Sequence, residues 1–153
     1  MSKWWIDEPL VMGSSNPSEA DLRDLRAQGF AILVCLLDPK EQSPNYQEAK
    51  AINLGYRLHA IAIRDFRPPS LAQLREFVTL ARGASDRTKL LVHCQGGTGR
   101  TGTMAAAYWI SKGLSKEAAV SRIRQARPHA VEMPEQHRCL QEFEREWAET
   151  VGK

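Results

Sequence analysis

Lys89-Leu90-Leu91-Val92-His93-Cys94-Gln95-Gly96-Gly97-Thr98-Gly99-Arg100-Thr101-Gly102 is the stretch from which the rest of the chain is ordered. Lys89 to His93 has the length and apolar character of a buried strand. The five residues that follow Cys94 include three glycines and suit a tight loop, and a helix is expected from about Arg100 to Lys112. A strand that feeds a helix through a short loop is the unit of a parallel sheet. In open sheets of this kind ligands collect at the carboxyl ends of the strands, where Cys94 stands.

The flanks agree with that unit. Phe30 to Leu37 is a continuous apolar run, the mark of a strand buried on both faces. Tyr56 to Ile63 alternates and reads as another strand, while Trp4 to Ile6 and Leu10 to Met12 suit two short strands closing one edge. Between them lie helical signals. Pro17-Ser18 with Asp21 three residues on is a capping box for a helix with apolar positions Ala20, Leu22, Leu25 and Ala27, stopped by Gly29. Asp38-Pro39 opens a loop to Asn45, and Tyr46 to Leu54 is a short helix before Gly55. After a loop from Arg64 to Pro69, Ser70 caps a helix to about Arg82 with Leu71, Leu74, Phe77, Val78 and Ala81 on one face. Ser115 caps a helix with Ala118, Ala119, Val120 and Ile123 inward, ended by Pro128, and a last helix runs from Pro134 to about Thr150. The expected fold is α/β: a central, mostly parallel sheet flanked by helices, right-handed in its crossovers, with a C-terminal helical cluster. Residues 1–153 are read as one domain.

Composition narrows the function classes. With 42% hydrophobic and 25% charged residues the chain is that of a folded globular protein. A net charge of +3 without a basic run gives no footprint for nucleic acid. The longest apolar run is far below the ~18 residues of a membrane span, and Met1-Ser2-Lys3-Trp4-Trp5 opens no signal peptide, so a cytoplasmic protein without a membrane partner is expected. Cys35, Cys94 and Cys139 form no CxxC pair, and His59, His129 and His137 have no ligand spacing. No metal and no cofactor are therefore expected, and free thiols suit a reducing compartment. Cys35 and Cys139 read as core residues, with Cys35 a resolving thiol only if folding brings it to Cys94. Trp4-Trp5 reads as core and edge packing. A monomer is expected.

The glycine loop carries the chemistry. Gln95, Gly96, Gly97, Thr98 and Gly99 can turn their amides inward as an anion-binding nest, to which the helix N-terminus adds free N–H groups and partial positive charge. The field that holds a dianion also stabilises a thiolate at Cys94. Arg100, six residues on, can return over the loop and hold two phosphoryl oxygens. In-line attack by Cys94 on phosphorus would form a thiol-phosphate that water then hydrolyses. The Thr101 hydroxyl would donate to the sulfur as it leaves, and His93 would bond backbone behind the loop and tune the thiolate. No Gly-x4-Gly-Lys occurs, which excludes a Walker loop.

This segment resembles the signature of the protein tyrosine phosphatase superfamily, and in particular its small dual-specificity members of archaeal and atypical type. The resemblance extends to Ile63-Arg64-Asp65-Phe66-Arg67-Pro68-Pro69 and to Arg127-Pro128-His129-Ala130-Val131-Glu132 through Glu135-Gln136. It implies a cysteine-phosphatase fold and hydrolysis of phosphate monoesters on phosphotyrosine, with phosphoserine and phosphothreonine as further substrates, so that the partner is a phosphorylated protein or peptide. It implies Asp65 as general acid, where the family often has a proline in place of Arg64; Asp38 is the rival acid. It implies Gln136 as the group that orients the hydrolytic water. Glu132 is set near the signature loop or on the surface, and Phe66 and Arg67 at the flank of the substrate. Three alternatives stay open: rhodanese-like sulfur transfer or arsenate reduction, a catalytically silent phosphate-binding module, and a lipid phosphatase, the last ranked lower because Gln95 to Gly99 is neutral.

Overall fold

A computed structural model describes residues 1–151; Gly152 and Lys153, the end of the expected domain, lie outside the described residues. Five strands form one sheet: β1 (Lys3–Asp7), β2 (Val11–Ser14), β3 (Phe30–Leu37), β4 (Arg57–Ile63) and β5 (Lys89–His93), in the order β1-β2-β5-β3-β4. Only the β1–β2 pair is antiparallel. The N-terminal hairpin closes one edge, as expected, and its second strand pairs in parallel with β5 beside the glycine loop.

Successive residues of a strand face opposite sides, so the wholly apolar strands feed two cores. Ile32, Val34, Leu36, Leu90 and Val92 join the larger core, under α3 (Leu71–Arg82), α4 (Gly99–Ser111), α5 (Lys116–Ala126) and α6 (Pro134–Val151). Phe30, Leu33 and Leu91 join the smaller one, under α1 (Glu19–Ala27) and α2 (Glu48–Asn53). Every residue of α4 is buried. A helix enclosed on all sides needs an apolar or small surface throughout, which Met104-Ala105-Ala106-Ala107 supplies. This fixes the start of α4, and with it Arg100, against the core.

Local details differ from the sequence reading in three places. In α1 only Leu22 and Leu25 are buried; Ala20 and Ala27 face solvent because the short helix meets the sheet along a single ridge. Its capping box is present in both directions, Ser18 with Asp21. Helix α2 starts at Glu48 and not at Tyr46, because the Tyr46 ring turns into the core, where its hydroxyl meets His93. In helix α5 Ala119, Val120 and Ile123 are buried but Ala118, expected inward, faces solvent. The helix stops at Ala126 as expected of Pro128, because Arg127, the residue before the proline, leaves helical geometry. The Arg127 side chain is thereby sent back towards the glycine loop.

Candidate active site

Cys94 follows the last residue of β5 and is itself buried, 3% exposed, yet it lines a cleft of about 520 Å³. Its sulfur accepts two hydrogen bonds, from the Gly97 backbone N–H at 3.2 Å and from the Thr101 hydroxyl at 3.1 Å. Both bring a polar hydrogen to the sulfur.

The loop around that sulfur is held from its outer side. The carbonyls of Gln95, Gly96 and Gly97 accept from Asn16 N at 3.0 Å, Arg127 Nη2 at 2.7 Å and Trp4 Nε1 at 3.0 Å. Arg127 Nε also reaches the Thr98 hydroxyl at 3.2 Å. Occupying carbonyls outside the ring leaves amides for its interior. Gly97 makes this path possible. Its φ is +77°, and a Cβ there would stand 2.6 Å from the backbone of Ser14 and Ser15. Gly102, one turn into α4, is equally confined, since a Cβ would lie 2.8 Å from Ala130.

Behind the loop, His93 is fully buried. Nδ1 lies 3.2 Å from the Cys94 carbonyl, the backbone contact expected for it, and Nε2 lies 2.8 Å from the Tyr46 hydroxyl. Burial lowers the His93 pKa to about 4 and raises that of Tyr46, so both are neutral near pH 7. A protonated phenol bonding a neutral imidazole assigns Nε2 as acceptor and Nδ1–H as donor to the Cys94 carbonyl. Cys35 and Cys139 are buried as well, and burial pushes both thiols up, Cys139 to about 12, which makes them poor nucleophiles.

Arg100, in the first turn of α4, is only 2% exposed. Nη1 donates to the Ile63 carbonyl at 2.9 Å and Nη2 to Gln42 Oε1 at 2.8 Å. Nη2 also lies 3.3 Å from Asp65 Oδ1. Its Nε is the one buried side-chain nitrogen or oxygen among the described residues without a partner. An unmet buried N–H on a guanidinium that lines the cleft is a donor with capacity to bind an anion.

Asp65 lies on the loop after β4 and lines the same cleft. Oδ2 accepts from Gln42 Nε2 at 3.3 Å, and the Asp65 amide donates to Glu41 Oε1 at 2.9 Å. Phe66 is 54% exposed at the rim with a φ of +64°, and Arg67 pairs with Glu135 at 2.9 Å. Asp38 is absent from the cleft; its carboxylate accepts from the amide of Lys40 in a local turn. Across the opening stand Arg127, Pro128, His129 and Glu132, the last with its carboxylate 2.5 Å from where a Cβ on Gly99 would sit.

Gln136 is brought near but not into this lining. It is fully buried, its Oε1 accepts from the amides of Glu132 and Met133 at 3.0 Å each, and its Nε2 donates to the Arg67 carbonyl at 3.4 Å. It reaches the loop only from behind, about 3.5 Å from a Cβ position on Gly99.

Sequence reasoning missed Gln42, Tyr46, Asn16 and the tie from Arg127 to the loop. Arg127 lay inside a motif already singled out; nothing in the sequence marked the others. A wider groove of about 820 Å³ between β1 and α5, lined by Trp5, Asp7 and Arg122 among others, contains no cysteine, so size does not locate the sulfur.

The family model described as "Swiss Army Knife protein, DSP-PTPase phosphatase domain" matches residues 2–150. A phosphatidylglycerophosphate phosphatase of Arabidopsis thaliana, PTPMT2, is 30% identical over 152 residues, covering 94% of this chain and 64% of its own length. The tyrosine-protein phosphatase CDC14 homolog of Schizosaccharomyces pombe is 32% identical over 95 residues, covering 61% and 18%. This chain thus spans less than two thirds of those curated relatives. Among solved structures, Tk-PTP in its active form superposes with a TM-score of 0.82 at 33% identity, covering 94% of this chain and 97% of that one. PTPMT1 in complex with PI(5)P gives 0.88 at 23% identity, covering 99% of each, a likeness of fold.

Proposed function

The chain belongs to the DSP-PTPase phosphatase family, and on that footing we propose that it hydrolyses phosphate monoesters on phosphotyrosine, and on phosphoserine and phosphothreonine, through a cysteinyl-phosphate intermediate. One observation carries the reading: a sulfur that receives two hydrogen bonds shares its cleft with a buried guanidinium whose Nε has no partner.

The Cys94 thiolate attacks phosphorus, a P–S bond forms, and the bond to the ester oxygen breaks opposite it. Asp65 gives its proton to the leaving oxygen. The amides of Gln95, Gly96, Gly97, Thr98 and Gly99, together with Arg100, hold the equatorial oxygens while charge builds on them. Water then attacks the phosphocysteine and loses a proton to the Asp65 carboxylate, with Gln136 orienting it through the one Nε2 hydrogen not given to the Arg67 carbonyl. The P–S bond breaks, Thr101 donates to the departing thiolate, and inorganic phosphate leaves. His93 holds the Cys94 carbonyl throughout, and Phe66 flanks the substrate group. Residues 1–153 act as one catalytic domain, as a monomer on a phosphorylated protein or peptide, since every group named comes from one chain.

A second reading has its own support. A relative that covers nearly the whole chain is a phosphatidylglycerophosphate phosphatase, and Phe66 is an exposed apolar group at the mouth of the cleft. A lipid phosphate monoester at the same site uses the same steps. The deciding experiment compares kcat/KM on phosphotyrosine and phosphothreonine peptides with that on a short-chain, water-soluble phosphatidylglycerophosphate. The peptide reading expects phosphotyrosine to lead by at least about tenfold, roughly 1.4 kcal/mol; the opposite order removes it in favour of the lipid.

A further inference from the structure

The loop between β3 and α2 supplies no reacting atom, yet three of its bonds converge on the two groups that handle charge. Gln42 Oε1 accepts from Arg100 Nη2 at 2.8 Å, and Gln42 Nε2 donates to Asp65 Oδ2 at 3.3 Å. The neighbouring Glu41 accepts from the Asp65 amide at 2.9 Å. We propose that Gln42 is a positioning residue that sets the phosphate clamp and the proton donor at once, holding Arg100 open to the phosphoryl group and limiting Asp65 to a single 3.3 Å contact with it. The inference rests on the phosphatase reading of the site.

A primary amide suits this task because it has an acceptor at one end, a donor at the other and no charge. Arg100 is buried, and a buried cation takes whatever partners lie in reach. The Ile63 carbonyl and Gln42 Oε1 fix two of its nitrogens, which fixes the plane of the guanidinium and leaves Nε for the ligand. Without the amide, Asp65 is the only side-chain partner left to Arg100 among the described residues. The single 3.3 Å ion-pair contact would then be free to close into a bidentate one, with the carboxylate in the place of a phosphoryl oxygen and away from the leaving group.

The loop is built to hold that amide still. Asp38 organises a turn: its carboxylate accepts from Lys40 N at 3.0 Å and its carbonyl from Glu41 N at 2.9 Å and Gln42 N at 3.0 Å. Asn16 ties the loop to the glycine loop, through Ser43 O at 3.0 Å and Asn45 N at 2.9 Å on one side and Gln95 on the other. A side chain so supported transmits position in place of yielding to its neighbours. Asp38, weighed above as a rival acid, forms the turn that presents Gln42.

The test uses two variants and a series of aryl phosphates with leaving groups from good to poor. Gln42→Met keeps length and packing but removes both bonds. Gln42→Glu keeps an acceptor for Arg100 but removes the donor to Asp65. Both are expected to lower kcat by about 10-fold or more on the poorest leaving group, where the proton matters most, and by less than about threefold on the best. In Gln42→Met the inhibition constant of inorganic phosphate is expected to rise by about threefold or more, as the clamp loses its orientation. In an Asp65→Asn background Gln42→Met should add no further leaving-group penalty, because the two act as one unit. A Gln42→Met enzyme with unchanged leaving-group dependence and unchanged phosphate inhibition overturns the proposal. So does an equal loss on every leaving group that remains in the Asp65→Asn background. If Gln42→Met does not fold, Gln42→Glu decides by the same leaving-group comparison and double-variant cycle. An enzyme indifferent to Cys94→Ser or Asp65→Asn refutes the reading of the site; an enzyme that obeys those two and ignores Gln42 refutes only this inference.

Discussion

The two walls of the cleft are built in opposite ways. The wall from Cys94 to Arg100 is made of backbone: a strand end, a loop whose carbonyls are held by Trp4, Asn16 and Arg127, and a helix buried along its whole length. The wall that bears Asp65 is made of side chains at the surface: Asp65 is about a third exposed, Phe66 more than half, and their loop is held chiefly by Glu41, Gln42, Gln136 and one ion pair. Groups that stabilise charge act only if they are already in place when the charge develops, so the anion site is the wall that must be rigid. A proton donor serves through its reach and can be carried on a segment that yields to substrate. Substitutions on the first wall should therefore abolish function or unfold the protein, and those on the second should tune it.

The strongest test is Cys94→Ser, which removes the proposed nucleophile and leaves the proposed anion site. Turnover should fall by about 10⁴-fold or more, while vanadate still binds; appreciable hydrolysis by the variant would separate the loop from the chemistry and end the comparison. Asp65→Asn comes next. A loss in kcat of about 10²–10⁴ near neutral pH is expected, with phosphate inhibition nearly unchanged. A comparable loss of phosphate affinity would mean that the surface wall shapes the anion site as much as the backbone wall does.

Acid should strike the backbone wall first. The folded His93 pKa of about 4 lies below its ordinary 6.5, so the unfolded chain binds the proton more readily between those values. The associated stability is complete above about pH 6.5 and is lost as pH falls towards 4, by about 3 kcal/mol at the lower end. Chemical denaturation of the wild type and of His93→Gln, at pH 7 and pH 4.5, checks this. The wild type should lose more stability than the variant over that interval, and parallel losses would deny His93 the role.

The same division explains what could be read beforehand. The backbone wall was legible because its parts are contiguous: an apolar run, a nucleophile, glycines and an arginine within a dozen residues. The capping box at Ser18 and the cap at Ser70 were legible for the same reason, each lying within four residues; the Gln73 half of the Ser70 box is added by the structure. Gln42 meets Arg100 across 58 positions, and Trp4 meets Gly97 across 93. No local pattern marks either contact, because tertiary packing and not periodicity makes them. Gln136 was singled out by family likeness alone, and the structure adds what likeness did not contain: its carbonyl oxygen is already committed to two backbone amides. Asp65 lies between these cases, placed by likeness but dependent on partners that no motif contained.

The smallest effect tests whether the surface wall needs its ion pair. Arg67 and Glu135 meet at 2.9 Å with side chains 61% and 45% exposed. An exposed pair spends side-chain entropy to hold its geometry and is screened by salt, so it contributes at most about 1 kcal/mol. The Gln42 side-chain amide, donating to the Asp65 carboxylate, and the Glu41 carboxylate, accepting from the Asp65 backbone N–H, act directly on Asp65, two residues nearer the chemistry. Glu135→Ala should therefore leave the unfolding free energy within about 1 kcal/mol of wild type and kcat on a poor leaving group within about threefold, with little change on adding salt. If Glu135→Ala instead reproduced the leaving-group defect expected of Gln42→Met, the acid loop would be fastened from the α6 side. The contrast between the walls would then have to be redrawn, with the Arg67–Glu135 contact as the element that places the proton.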